Sequence, residues 1–172
     1  LPKSFWVQVD SIPKDLSILP ADTTICEGGR ATLISKIYEP FEYPNVRFKW
    51  IPTVGQLTPD SLYNLVVQPT ITTVYQRITT AGACVDTSKA TVNVIPQAQM
   101  NITPPLSTIC PGESVPLSLT FTPGVEDIKW TPAGILSCDD CNNPIATPLG
   151  TTTISVEGSF KGCPTSASAQ IV

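Results

Sequence analysis

Three stretches of this chain recur in the same order, and that repetition limits its fold more than any single motif does. "TICEGGRATL" at 24–33 returns as "TICPGESVPL" at 108–117, and "KWIPTVGQL" at 49–57 returns as "KWTPAGIL" at 129–136. "QPTITTVYQRITTAGAC" at 68–84 then matches "TPLGTTTISVEGSFKGC" at 147–163, with the same Pro-to-Cys spacing. A chain with self-similarity on this scale is built from copies of one structural unit. Its 172 residues suit two small modules. The expected division is a first module over 13–96 and a second over 97–172, with 1–12 as the closing strand of an upstream module or a linker.

Each copy places a Cys, a Trp on an apolar-flanked run and a second Cys: Cys26, Trp50, Cys84, then Cys110, Trp130, Cys163. Apolar residues two apart in "RATLIS", "VRFKW", "SVPLSLTF" and "DIKW" are the pattern of strands with one buried face. "TTVYQRIT" and "TTTISVEG" supply the strands before each second Cys, and "KATVNV" and "SASAQIV" supply the closing strands. Pro, Gly and Thr punctuate the gaps, and no window carries a capped apolar helical stripe. The expected fold is all-β: two tandem immunoglobulin-like β-sandwich modules, each with its Trp buried in a thin core.

Six cysteines, no histidine and one methionine make disulfides the default reading and an oxidising, exported location the expected one. Cys26 and Cys84 occupy the same repeat positions as Cys110 and Cys163, so each pair is expected to close within its own module. Such long bridges are worth roughly 4 kcal/mol each by loop entropy. Cys138 and Cys141, in "LSCDDCNN", form a Cys-x-x-Cys that the first copy replaces with Pro59 to Leu62. A redox pair needs a cation or helix N-terminus to favour the thiolate, whereas Asp139 and Asp140 oppose it. A zinc site needs four ligands, and only carboxylates remain. The reading adopted is a disulfide staple; calcium at Asp139, Asp140, Asn142 and Asn143 is an alternative without an EF-hand pattern.

Catalysis finds no support. Without histidine there is no Ser-His or Cys-His pair, and no Gly-x-Ser-x-Gly or phosphate loop occurs. Glu39 and Glu42 read as a solvated face rather than an acid–base pair. No cofactor is expected, the acidic balance of -4 argues against nucleic acid, and no apolar stretch is long enough for membrane insertion. "YEPFEYPN" at 38–45 is longer than its counterpart and carries Tyr38, Phe41 and Tyr43, a candidate binding surface; the competing reading is that they cover an open sandwich end. In residues 1–12, Phe5, Val7 and Val9 share one strand face and Trp6 the other. That strand either belongs to an upstream module or packs back onto the first. "VIPQAQMNITP" at 94–104 reads as a proline-stiffened linker.

"TIC-x-G", "KW-x-P" with "G-x-L", "LSCDDCNNPIATP" and "TTTISVEGSFKGC" together resemble the Ig-like or PKD-like repeats of large Bacteroidota cell-surface proteins. These include gliding-motility-associated adhesins exported by the type IX secretion system. The resemblance covers both modules, and the first departs from it by lacking the Cys-x-x-Cys. It implies a non-catalytic stalk, spacer or adhesion segment at the extracellular cell surface. Its implied partners are neighbouring repeat modules of a longer chain, and surface polysaccharide or another surface protein. The alternative is a carbohydrate-binding or spacer module of a secreted multidomain enzyme, which would need a planar row of exposed aromatics.

Overall fold

The computed structural model describes residues 17–36 and 46–172. Residues 1–12, with Phe5, Trp6, Val7 and Val9, and the loop carrying Tyr38, Glu39, Phe41, Glu42 and Tyr43 lie outside the described residues. The chain divides between Pro96 and Gln97 into two compact units.

In the first unit, β1 (Ile18–Leu19), β3 (Ala31–Ser35) and β5 (Leu65–Val67) form one sheet in the order β1-β3-β5. The other is β2-β7-β6-β4, from β2 (Asp22–Cys26), β7 (Cys84–Ile95), β6 (Thr73–Ala81) and β4 (Val46–Ile51). Alternation drives the layering: Ala31, Leu33 and Ser35 are buried while Thr32 and Ile34 are exposed. Leu33, Trp50, Leu65, Val67, Tyr75 and Val92 close one core between the sheets. The Tyr75 hydroxyl reaches its edge and donates to the Val54 carbonyl at 2.7 Å.

The second unit repeats this plan. Its larger sheet is β12-β14-β15-β9, made of β12 (Val125–Thr131), β14 (Thr152–Phe160), β15 (Cys163–Ile171) and β9 (Leu106–Ser107). This is the order β4-β6-β7-β2 over again. Facing it, β8 (Met100–Thr103) pairs with β11 (Ser118–Phe121), and β10 (Val115–Pro116) pairs with β13 (Ile145–Ala146). Leu117 lies between β10 and β11, and its N–H donates to the Pro144 carbonyl, which keeps the run continuous. Leu117, Leu119, Trp130, Ile154, Val156 and Ile171 fill this core. Apart from a 3-10 turn at Ala133–Ile135, regular structure among the described residues is strand.

The expected linker at 94–104 is shorter than read from its prolines. β7 runs to Ile95 and β8 begins at Met100, paired Met100↔Phe121 through Thr103↔Ser118. The alternation "MNIT", with Met100 and Ile102 buried, makes this segment a core strand of the second module.

Candidate functional site: the tryptophan loop and the module poles

Trp50 and Trp130 lie in register opposite Arg77 and Val156 and are 0% and 1% exposed. Both anchor the same loop. The Trp50 N–H donates to the Asp60 carbonyl at 2.8 Å and its indole Nε1 to the Leu62 carbonyl at 2.9 Å. In the second module the Trp130 N–H donates to Asp139 at 2.7 Å and Nε1 to Cys141 at 2.7 Å. A buried indole N–H needs an acceptor, and the loop supplies one by backbone, so the side chains at these positions can differ.

Cys138 and Cys141 are joined by a disulfide, with their Cα atoms 5.9 Å apart. The bridge closes the loop around the carbonyl that accepts from Trp130. Asp139 forms an ion pair with Lys129. That hydrogen bond holds the Asp139 carboxyl below its ordinary value of 3.8 and the Lys129 ammonium above its ordinary 10.5, while slight desolvation opposes both shifts. Among the described residues no group of three or more His, Cys, Asp or Glu side chains is placed to hold a metal ion.

The expected long bridges are not formed, and the strand register gives the reason. Cys26 ends β2, which runs parallel to β7 with Cys26 opposite Ile95. Cys84 begins β7, opposite Ala81. The eleven residues from Cys84 to Ile95 span about 36 Å of strand, whereas a disulfide needs Cα atoms within about 7 Å. The second module has the same geometry. β9 runs parallel to the end of β15, Gln170↔Leu106 and Ile171↔Ser107, and the Ile109 N–H donates to the Val172 carbonyl at 2.9 Å. Cys110 therefore sits beside the end of β15 and Cys163 at its start, about 30 Å away. Cys110 is an exposed thiol. Cys26 and Cys163 are both disulfide-bonded.

Each module thus has a first-position cysteine at the pole where its last strand ends and a second-position cysteine at the opposite pole. The local sequence fixes both. After Cys26 and after Cys110 the chain turns sharply, with Gly29 N–H donating to Cys26 at 2.8 Å and Glu113 N–H to Cys110 at 3.0 Å. Gly28 and Gly112, at φ +80 and +84, take the third turn position, which favours glycine. That is the physical content of "Cys-x-Gly". The second-position cysteines follow tight hairpins: Ala81 pairs with Cys84, and Phe160 with Cys163. Lys161 and Gly162 both have positive φ, the requirement of a type I′ hairpin turn.

Arg77 was not singled out by sequence. It is fully buried on the inward face of β6 with Tyr75 and Thr79, its guanidinium 5.7 Å from the Phe48 ring and 5.9 Å from the Trp50 ring. Burial lowers its pKa, with Tyr63 and Asp86 acting in the opposite direction. The signal was present: in "TVYQRIT" residues 75, 77 and 79 share one strand face with the core.

No family model matches the sequence, and no curated protein does. Solved structures with similarity include the N-terminal eight Ig domains of Down Syndrome Cell Adhesion Molecule isoform 1.30.30, 12% identical over 96% of this chain, TM-score 0.41. A titin fragment, A168169, is 14% identical over 95% of this chain and 98% of its own, TM-score 0.40. The N-terminal four Ig domains of Dscam1 isoform 6.44 are 10% identical over 97%, TM-score 0.38. The chain spans 27% of the first of these and 46% of the third. By the strand order of each module this is a protein of two tandem immunoglobulin-like β-sandwiches.

Proposed function

We propose that this chain is a non-catalytic repeat segment of a large secreted or cell-surface adhesin, serving as stalk or spacer between functional parts of a longer protein. The observation that carries this reading is the duplication itself: the second module reproduces the strand order of the first, the buried Trp and the backbone acceptors around it. The distinctive residues of both copies go into scaffolding. Trp50 and Trp130 anchor loops, Cys138 and Cys141 close one, and Asp139 pairs with Lys129. Disulfides favour an oxidising compartment, and no helix among the described residues is long and apolar enough to cross a membrane. The Bacteroidota adhesin setting, export by the type IX system and contact with surface polysaccharide or protein belong to this proposal and rest on the sequence resemblance.

Antibodies raised against residues 97–172 test it on intact cells that make the protein. Surface labelling before permeabilisation, lost after mild external protease, is expected. Labelling only after permeabilisation overturns the reading.

A further inference from the structure

We propose that residues 138–144 are a strap across one side of the second sandwich and that the Cys138–Cys141 bond is a redox latch on it: a dithiol opens the latch and frees the edges of both sheets, whereas the matching strap of the first module is indifferent to reductant. The strap's carbonyls carry the argument. β12 is an outermost strand of the larger sheet, and its Trp130 N–H donates to the Asp139 carbonyl at 2.7 Å. Further along, the Asn142 carbonyl accepts from the Leu119 N–H of β11 and the Pro144 carbonyl from the Leu117 N–H, each at 2.9 Å. Between Asp139 and Pro144 the chain therefore passes from the edge of one sheet to the edge of the other. Main-chain groups on a bare edge are templates for pairing with a further strand, and a loop laid over them takes them out of use.

The first module makes the same crossing with different fastenings. Its Trp50 N–H donates to the Asp60 carbonyl, and Ser35 of β3 donates through its hydroxyl to the Tyr63 carbonyl and through its N–H to Asn64 Oδ1. Tyr63 rests edge-on against Phe48 of β4, with ring centroids 5.8 Å apart. The second module has Asn142 and Ile128 at these two repeat positions, so the ring pair is replaced by the Cys138–Cys141 bond and the Asp139–Lys129 ion pair. An aromatic contact does not respond to a thiol; a disulfide does.

A bond that closes so short a loop contributes little to the stability of the whole module, so breaking it releases the strap and leaves the sandwich folded. Both cysteines are part-exposed, among exposed Ser137, Asp140 and Asn142, which gives a reductant access. One thiolate of the dithiol attacks a bridge sulfur and displaces the other, forming a mixed disulfide; the second thiol then displaces the remaining cysteine. Two electrons and two protons pass to the bridge, which ends as two thiols, while the dithiol ends as a cyclic disulfide.

Amide hydrogen exchange followed by NMR on the full chain, before and after dithiothreitol, tests this. Reduction is expected to speed exchange at Leu117, Leu119 and Trp130 by about tenfold or more, with a smaller change at Ile154 and Val156 of the central strand β14. Unchanged rates at the strap-bound amides, or equal acceleration at Ile154 and Val156, overturn the proposal. Because dithiothreitol reaches every disulfide, the Cys138→Ser, Cys141→Ser double variant isolates the latch. Without reductant its strap-bound amides are expected to exchange as fast as those of the reduced parent, with Trp50 unchanged, and dithiothreitol should speed them no further. Slow, parent-like exchange in the variant, or a second acceleration on reduction, assigns the effect to another bond and overturns the latch.

Discussion

The indole Nε1 of Trp130 donates to the main-chain carbonyl of Cys141 at 2.7 Å, tying the central core residue of the second module to one half of its short disulfide. The core and the stapled loop are therefore one mechanical unit. Trp130→Ala is expected to lower the stability of the second module by about 3 to 5 kcal/mol, through lost burial and the cavity left behind. Trp130→Phe keeps most of the burial but strands the Cys141 acceptor, and is expected to cost about 1 to 3 kcal/mol more than its change in area implies. Urea unfolding followed by circular dichroism measures both, and a thermal melt within a degree or two of the parent for the alanine variant would refute the core assignment.

Replacing Cys138 and Cys141 together by serine is expected to cost at most about 2 kcal/mol, because so short a loop gains little from closure. The first module makes the same hydrogen bond, from the Trp50 indole to the Leu62 carbonyl, without a staple. The fold should survive, with tryptophan emission shifting as the acceptor loop loosens. Loss of the second module's β-sheet signal would show that the bridge does more than restrain that loop.

Gly55 and Gly134 occupy the same position in the repeat but are predicted to respond differently to alanine. At Gly55, φ is +69 and a Cβ would lie 2.8 Å from Pro69 Cα, whereas at Gly134 nothing lies within 4 Å. Gly55→Ala should therefore destabilise by more than about 1 kcal/mol, and Gly134→Ala should fall within about 0.5 kcal/mol of the parent. Equal effects at the two sites, read by thermal melting, would contradict this placement of the turns.

The Lys129 and Asp139 pair sets a pH dependence of known sign. Because Lys129 lowers the folded-state pKa of Asp139, the pair's contribution is present above the ordinary carboxyl value of 3.8 and is lost as pH falls through the lower folded value. At the alkaline end, the raised Lys129 pKa means its contribution holds below 10.5 and fades as pH rises past the folded value. Carboxyl NMR titration should place the Asp139 midpoint below 3.8, and Lys129→Met should return it toward that value. An unchanged midpoint in the variant would assign the shift to another group.

Much of this architecture was legible in the sequence because alternation and repetition are local signals. "RATLIS" and "TTTISVEG" announce their strands by period, and Trp50 and Trp130 announce the core by recurring in register. The cysteine pairing was not legible in the same way. The order Cys, Trp, Cys is the same whether the first cysteine lies on a strand of the opposite sheet or, as here, at the end of β2 beside β7. Only the register separates those cases, and register depends on contacts distant in sequence. A clue was available in the glycine two residues after Cys26 and Cys110, which puts each cysteine at a strand end instead of within a strand. In sequence Asp139 is a carboxylate that opposes a thiolate at its neighbouring cysteines; its partner Lys129 is on β12, ten residues away, beyond any local pattern.

The parallel pairing of β2 with β7, from Asp22↔Thr91 to Cys26↔Ile95, has a consequence for a chain pulled from its ends. Tension entering at the start of β2 and leaving at the end of β7 draws the two strands in opposite directions along their length. Their hydrogen bonds lie across that direction and share the force at once, so they must fail together, whereas a hairpin pulled at its open end unzips one pair at a time. β9 and β15 repeat the arrangement at Leu106↔Gln170 and Ser107↔Ile171. Each module carries its own shear clamp between its second strand and its last, so a pull on the chain meets collective resistance in both.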